Sequence, residues 1–497
     1  MTNEARPALS EISAALLVFG SSAAVLVIEL VALRLLAPYL GLTLETSTTV
    51  IGIALAAIAL GSWAGGRAAD VVDPRRTLGP LLAASGVVAA ITPFAVRGTA
   101  GLDPTSGLVL IVAGITILVP GALLSAVTPM VTKLMLTDLG RTGTIVGRLS
   151  GIGTVGAIVG TVITGFVLIS VVRVSVILVG LGLLLVLAAA VVEVRIRGWM
   201  FGVVPAVLVL AGGLAAAVAP GGCDVETTYH CASVVEDPQD PDGRILVLDN
   251  LRHSYVDVTD PTVLEFAYVR AIAASIDTRY PAAEPLQAYH VGGGGLTLPT
   301  YLREQRPGTR SVVSEIDGGV LRVDTELLGV RTGDDLQVRI EDGRRGLARQ
   351  DDAAHDVVVG DAFGGVSVPW HLTTREAVDE VRRILRPGGV YVLNLIDFDE
   401  LGFARAQVRT LQDTFEDVVV LGADAPFDRP GVSGGNIVVV ASDEPVDTAG
   451  LADRLGEREV PWVVAEGEDL DAWLGDAEVL TDDRAPVDQL LTTTPSR

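Results

Sequence analysis

The stretch Tyr289-His290-Val291-Gly292-Gly293-Gly294-Gly295-Leu296-Thr297-Leu298 joins a short apolar run to four consecutive glycines and then to a new apolar segment. A strand that ends in glycines and restarts as a helix brings backbone N–H groups close to a bound nucleotide-like ligand. Four glycines also suit a plain tight turn, so the flanking chain decides between the two readings.

Downstream the chain alternates strand and helix. Strand Gln287–Val291 enters the glycines, and strand Arg310–Val313 ends in Glu315-Ile316-Asp317. Strand Leu336–Ile340 ends in Glu341-Asp342-Gly343, and strand Asp356–Val359 ends in Gly360-Asp361-Ala362. A helix over Thr374–Leu385 then leads through Arg386-Pro387-Gly388-Gly389 to strand Val390–Leu395, followed by a helix at Leu401–Phe415 and strands Asp417–Leu421 and Asn436–Ala441. This alternation predicts a parallel, doubly wound Rossmann-like sheet, whose ligands bind beyond the carboxyl ends of the strands. Gly292, Gly293, Gly294, Glu315, Asp342, Gly343 and Asp361 all fall at such ends and are expected to converge on one crevice. Glu315, about 20 residues past the glycines, stands where a carboxylate accepts both ribose hydroxyls, and Asp342 is the candidate for an adenine amino group.

Upstream, Cys223 to Pro285 reads as a small β-rich cap with strands Ala232–Glu236, Arg244–Asp249 and Arg252–Val258, then a helix from Pro261 carrying Phe266 and Tyr268. The 497 residues are 49% hydrophobic yet carry a net charge of −24, a conflict that resolves if the two properties occupy different halves. Residues 1–220 hold seven stretches near bilayer-spanning length: Ile12–Leu36, Thr46–Ala64, Leu78–Val96, Leu108–Leu134, Val146–Ile169, Val174–Val194 and Met200–Ala217. Domains are therefore expected at 1–220 (membrane), 221–285 (cap) and 286–497 (nucleoside-binding). The protein is expected to lie in the cell membrane as a multi-pass chain with the lipid bilayer as a partner.

Arg67, Arg75 and Arg76, then Lys133, Arg141 and Arg148, then Arg195 and Arg197 mark alternate connections, placing the N-terminus in the cytoplasm and, after seven spans, the soluble half outside. Supply of a cytosolic nucleotide argues for the opposite side. The acidic soluble half speaks against nucleic-acid binding. Cys223 and Cys231 are the two cysteines, without metal-ligand spacing, so no metal site is expected; they form either a small disulfide loop or two free thiols.

The order of motifs resembles the polyamine aminopropyltransferase (spermidine synthase) family, in its membrane-fused branch with a multi-span N-terminal region. The matching pieces are Leu248-Asp249-Asn250, His253-Ser254-Tyr255, Leu264-Glu265-Phe266-Ala267-Tyr268, the glycine run, Ser314-Glu315-Ile316-Asp317, Glu341-Asp342-Gly343, Asp356 to Asp361 and Arg386-Pro387-Gly388-Gly389. Glu29 to Tyr39 is similar to the first span of that branch, and Leu480 to Asp488 to its tail.

The resemblance implies transfer of an aminopropyl group from decarboxylated S-adenosylmethionine, a co-substrate and not a resident cofactor, to a diamine such as putrescine. It implies that Glu315 holds the ribose, Asp342 the adenine, Asp361 the proton of the attacking amine, and that Tyr268 positions that amine. Three departures stand beside it. Gly295 occupies the place of an aspartate, Asp361-Ala362-Phe363-Gly364-Gly365 lacks the second aspartate of the family's loop, and Gly431-Val432-Ser433-Gly434 lacks its tyrosine. Methyl transfer from S-adenosylmethionine and non-catalytic nucleotide or polyamine sensing therefore stay open, as does a homodimer.

Overall fold

The computed structural model describes residues 9–40, 44–98, 107–136, 139–169, 172–197, 223–249, 251–423 and 434–492. The chain divides into two compact units, Met1–His230 and Cys231–Arg497.

Among its described residues the first unit is helical apart from a short strand at Val225–Glu226: α1 (Glu11–Leu40), α2 (Leu44–Val71), α3 (Pro74–Arg97), α4 (Gly107–Ser125), α5 (Val127–Met135), α6 (Thr142–Ile163, extended by a π turn to Leu168) and α7 (Val174–Arg197). Helices α4 and α5 together make one span, so six apolar segments among the described residues are long enough to cross a membrane. They coincide with the first six expected stretches; Met200–Ala217 lies outside the described residues. Small residues let the helices touch through backbone. A Cβ on Gly156 would lie 2.3 Å from the Phe19 carbonyl oxygen, and one on Gly160 2.7 Å from that of Ala23.

Polar contacts mark the two ends of this unit. At one end Arg148 pairs with Glu11 at 2.7 Å, Lys133 with Asp70 at 2.9 Å, and Arg195 donates to Ser13 at 3.1 Å. At the other, Arg34 donates to the Thr227 carbonyl at 2.8 Å and the Val174 amide to Glu226 at 2.6 Å. Arg34 thus has a protein acceptor near the end of its helix.

The second unit begins with antiparallel strands β1 (Cys231–Asp237), β2 (Asp240–Leu248) and β3 (Leu251–Asp257). Helix α8 follows at Ala267–Arg279, not from Pro261, with Phe266 still extended at φ −76°, ψ 132°.

An eight-stranded sheet forms the centre. Its strands are β4 (Gln287–Val291), β5 (Arg310–Glu315), β6 (Leu336–Ile340), β7 (His355–Gly360), β8 (Leu385–Asp397), β9 (Asp417–Gly422), β10 (Gly435–Ser442) and β11 (Val463–Ala465). The order is β11-β9-β10-β8-β7-β4-β5-β6. β6, β5, β4, β7 and β8 run parallel, whereas β10 pairs antiparallel with both β8 and β9, and β11 antiparallel with β9. The expected all-parallel sheet is therefore mixed. β9 and β10 follow one another with no crossover helix expected between them, and parallel pairing needs such a crossover.

The parallel strands are near-continuous apolar runs because helices cover both faces. Tyr289, Val291, Val358, Leu393 and Leu395 face one core, and Ala288, Val357, Val359, Val390 and Val392 the other. Helices α9 (Thr297–Gln305), α10 (Gly318–Glu326), α11 (Gly343–Leu347) and α12 (Arg375–Ile384) connect the strands. Three begin at side-chain caps, from Asp317 to Gly319 N–H (2.8 Å), Asp342 to Arg345 N–H (3.1 Å) and Thr374 to Ala377 N–H (3.3 Å).

Candidate functional site

The glycine turn is shaped by what presses on it. Gly292 has φ +103°, and a Cβ there would lie 2.2 Å from the Asp361 carbonyl oxygen. Only glycine tolerates both that dihedral and that approach. The Asp361 amide in turn donates to the Val291 carbonyl at 2.9 Å, so the ends of β4 and β7 are stitched side by side. Gly294 has nothing nearer than a Leu246 methyl at 3.9 Å from a would-be Cβ.

Gly295 has φ +76°, and its Cβ direction is filled by the Ser254 hydroxyl of β3 at 2.3 Å. Its N–H is bound at 3.0 Å by Asp324 of α10, a fully buried carboxyl. Burial and the neighbouring Glu315 push Asp324 well above the usual carboxylate range.

Glu315, at the end of β5, is drawn to the turn by backbone donors. Oε2 accepts the Gly293 N–H and Oε1 the Asp317 N–H, both at 2.8 Å. Each oxygen of an ionised carboxylate keeps a further lone pair beyond one such bond. Asp342 leaves β6 as the cap of α11 and takes a second donor, His371 Nε2, at 2.8 Å on Oδ2. Burial opposes its charge, but the Arg345 amide and His371 outweigh that and hold it below the usual range. Gly343, the next residue, is buried and faces the Val291 side chain.

Asp361 and Tyr268, distant in sequence, meet. Both are half-buried, and Tyr268 lies beside Asp361 with its hydroxyl donating to the His253 carbonyl at 3.3 Å. Burial raises the Asp361 pKa to about 6, against the lowering effect of the Asn394 hydrogen bond and the neighbouring Tyr268 hydroxyl. Burial, and then the Asp361 charge, raise Tyr268 well above its ordinary value, so the phenol keeps its proton. A carboxylate with a pKa near 6 is ionised at pH 7 yet basic enough to receive a proton in catalysis.

Residues not anticipated from the sequence complete this corner. Asn394 Nδ2, from the middle of β8, donates to Asp361 Oδ1 at 2.8 Å, and its own Oδ1 accepts from Asn436 of β10 at 3.1 Å. An asparagine inside Val390-Tyr391-Val392-Leu393-Asn394-Leu395 is the available signal, because a polar side chain in a buried strand needs a specific partner. His371 is the other such residue. The structure thus gathers Gly292, Gly293, Glu315, Tyr268 and Asp361 through direct contacts. Asp342 stands at the neighbouring strand end, held by its own partners.

No protein-family model matches the chain. It is 28% identical over 217 residues to a probable polyamine aminopropyl transferase of Bifidobacterium longum, covering 40% of this chain and 48% of that protein. It is 31% identical over 142 residues to the eEF1A lysine and N-terminal methyltransferase of Homo sapiens, covering 26% and 20%. A crystal structure of a probable spermidine synthase from Corynebacterium glutamicum aligns with a TM-score of 0.49 at 25% identity, over 56% of this chain and 100% of that one. The chain spans about half the length of the first curated relatives it matches. In sequence the chain is similar to curated polyamine aminopropyltransferases, and it carries six helices long and apolar enough to cross a membrane, among the described residues, ahead of its Rossmann-like unit.

Proposed function

We propose that the protein is a membrane-anchored aminopropyltransferase that uses decarboxylated S-adenosylmethionine and an amine such as putrescine. The observation that carries this reading is the Asp361 carboxylate, bonded to Asn394, flanked by Tyr268 and stitched to a glycine turn that Glu315 also holds. The nucleoside fits these residues: Gly292 and Gly294 leave the turn without side chains, Glu315 retains lone pairs for ribose hydroxyls, and Asp342 for the adenine amino group. An ammonium group approaching Asp361 gives up one proton to it. The freed nitrogen lone pair attacks the methylene carbon beside the sulfonium, the C–N bond forms as the C–S bond breaks, and methylthioadenosine leaves with the electron pair. Tyr268, protonated throughout and tied to the His253 carbonyl, stands beside the carboxylate and helps to place the amine.

Methyl transfer from S-adenosylmethionine is the second reading, favoured by Gly295: Ser254 fills the space of a side chain there, so the turn offers no carboxylate to a second ammonium group. Calorimetry with methylthioadenosine tests the feature common to both. Wild type is expected to bind, and Glu315→Ala to bind at least about tenfold more weakly, the loss of a charged hydrogen bond. Absence of binding by wild type, or equal affinities, contradicts the reading.

The soluble unit is proposed to face the outside. Residues Glu226 and Thr227 contact the end of the helical unit opposite to Lys133, Arg148 and Arg195, and the basic end is the cytoplasmic one by the charge rule. Cys223 and Cys231 are disulfide-bonded, which suits an oxidising compartment. The nucleoside would then have to reach the site from that side.

A further inference from the structure

The sequence segment Thr481-Asp482-Asp483-Arg484 plays no part in the chemistry above, yet it is wired to the base end of the site. Asp482 takes a two-pronged bond from Arg344, Nη1 to Oδ1 at 3.2 Å and Nη2 to Oδ2 at 3.0 Å, and also accepts from Thr374 at 2.7 Å. The same Arg344 Nη1 donates to the His371 carbonyl at 2.8 Å. The His371 ring then reaches Asp342 Oδ2 at 2.8 Å. Planar two-pronged arginine–carboxylate pairs fix geometry as well as supply energy. Here that geometry is imposed on the turn from which His371 projects.

Asp342 and His371 are both about one-third exposed on their side chains, so the pair is accessible at the strand-end edge of the sheet. With the Arg345 amide on Oδ1 and His371 on Oδ2, the carboxylate cannot rotate, and its remaining lone pairs point in set directions. Such a group accepts from an exocyclic amine and repels a carbonyl at the same place.

We propose that His371, Arg344 and Asp482 are positioning residues that lock Asp342 as the acceptor for the adenine amino group, so that the C-terminal tail sets base selectivity. The proposal rests on the reading of the cleft as a nucleoside site. It is tested by calorimetry on the full chain in detergent, with methylthioadenosine and with methylthioinosine, in which a carbonyl replaces the amino group. Wild type is expected to prefer the adenine form by about tenfold or more. His371→Ala and Asp482→Asn are expected to reduce that ratio to about threefold or less. His371→Gln, which keeps a side-chain N–H donor, is expected to restore most of it, an outcome a misfolded variant cannot produce. A preference unchanged in both variants, or equal weakening of both nucleosides with the ratio intact, overturns the proposal and leaves the nucleoside reading standing. Wild type that binds neither nucleoside overturns both.

Discussion

Asn394 offers the sharpest perturbation, because it touches the proposed base and nothing else that reacts. Its Nδ2 stands 2.8 Å from Asp361 Oδ1 and stabilises the ionised carboxylate. A hydrogen bond to a charged group contributes about 1.5–3 kcal/mol, and one pKa unit corresponds to about 1.4 kcal/mol. Asn394→Leu should therefore raise the Asp361 pKa from about 6 by roughly one to two units. At pH 7 the ionised fraction falls from about nine-tenths to between one-half and one-tenth. The assay is initial release of methylthioadenosine at saturating co-substrate across about pH 5.5 to 9. Taking the ratio of variant to wild type at each pH cancels the titration of the amine itself. The ratio should be lowest in acid and climb towards one in base. A ratio that is flat across the range removes Asn394 from the proton step and, with it, the assignment of Asp361 as base.

Further outcomes follow from the same physics. The raised pKa of Asp361 means its ionised form is disfavoured in the folded state, so its contribution to stability is fully present below its unfolded pKa of 3.8 and lost as pH rises through about 6. Asp361→Asn should abolish turnover yet raise stability at pH 7 by up to about 3 kcal/mol, seen as slower amide exchange in β7 and β8; unchanged or faster exchange contradicts this. His290 and His355 are buried neutral, their pKa values lowered chiefly by burial to about 3 and about 4. Their contribution is intact above about pH 6.5 and drains away as pH falls towards those values, by roughly 3 kcal/mol each at pH 4. Exchange of the β4 amides should accelerate between pH 6.5 and 4 after correction for intrinsic rates, and double replacement by apolar residues should flatten that dependence. A reporter enzyme active only outside the cytoplasm, fused after Arg497, should be active; a silent fusion places the soluble unit inside.

Legibility in the sequence followed the range of the interactions. Six long apolar helices could be read because the run length that would cross a bilayer is a local property of each segment. The strand-end residues could be read because a parallel sheet exposes its carboxyl ends together, so local pattern alone places Gly292, Glu315, Asp342 and Asp361 at the same edge. Pairings across the chain were less accessible. Asn394 and Asn436 are 42 residues apart on antiparallel neighbours, and nothing near either announces the other. His371 reaches Asp342 across 29 positions of sequence, from a turn that Arg344 also contacts. The start of α8 at Ala267 was missed because the apolar spacing of Leu264 and Phe266 continues the helical pattern while Phe266 is extended. Antiparallel β10 was missed because the two consecutive strands Asp417–Leu421 and Asn436–Ala441 do not announce the direction in which they pair.

The central claim is that Asp361 removes a proton from an amine that attacks a sulfonium nucleoside. It is tested most directly by mass spectrometry of purified full-length protein incubated with decarboxylated S-adenosylmethionine and putrescine. Wild type should yield spermidine and methylthioadenosine in equal amounts, and Asp361→Asn should yield neither above the uncatalysed background. Product formation by Asp361→Asn at the wild-type rate, or none by wild type that binds methylthioadenosine, contradicts the account.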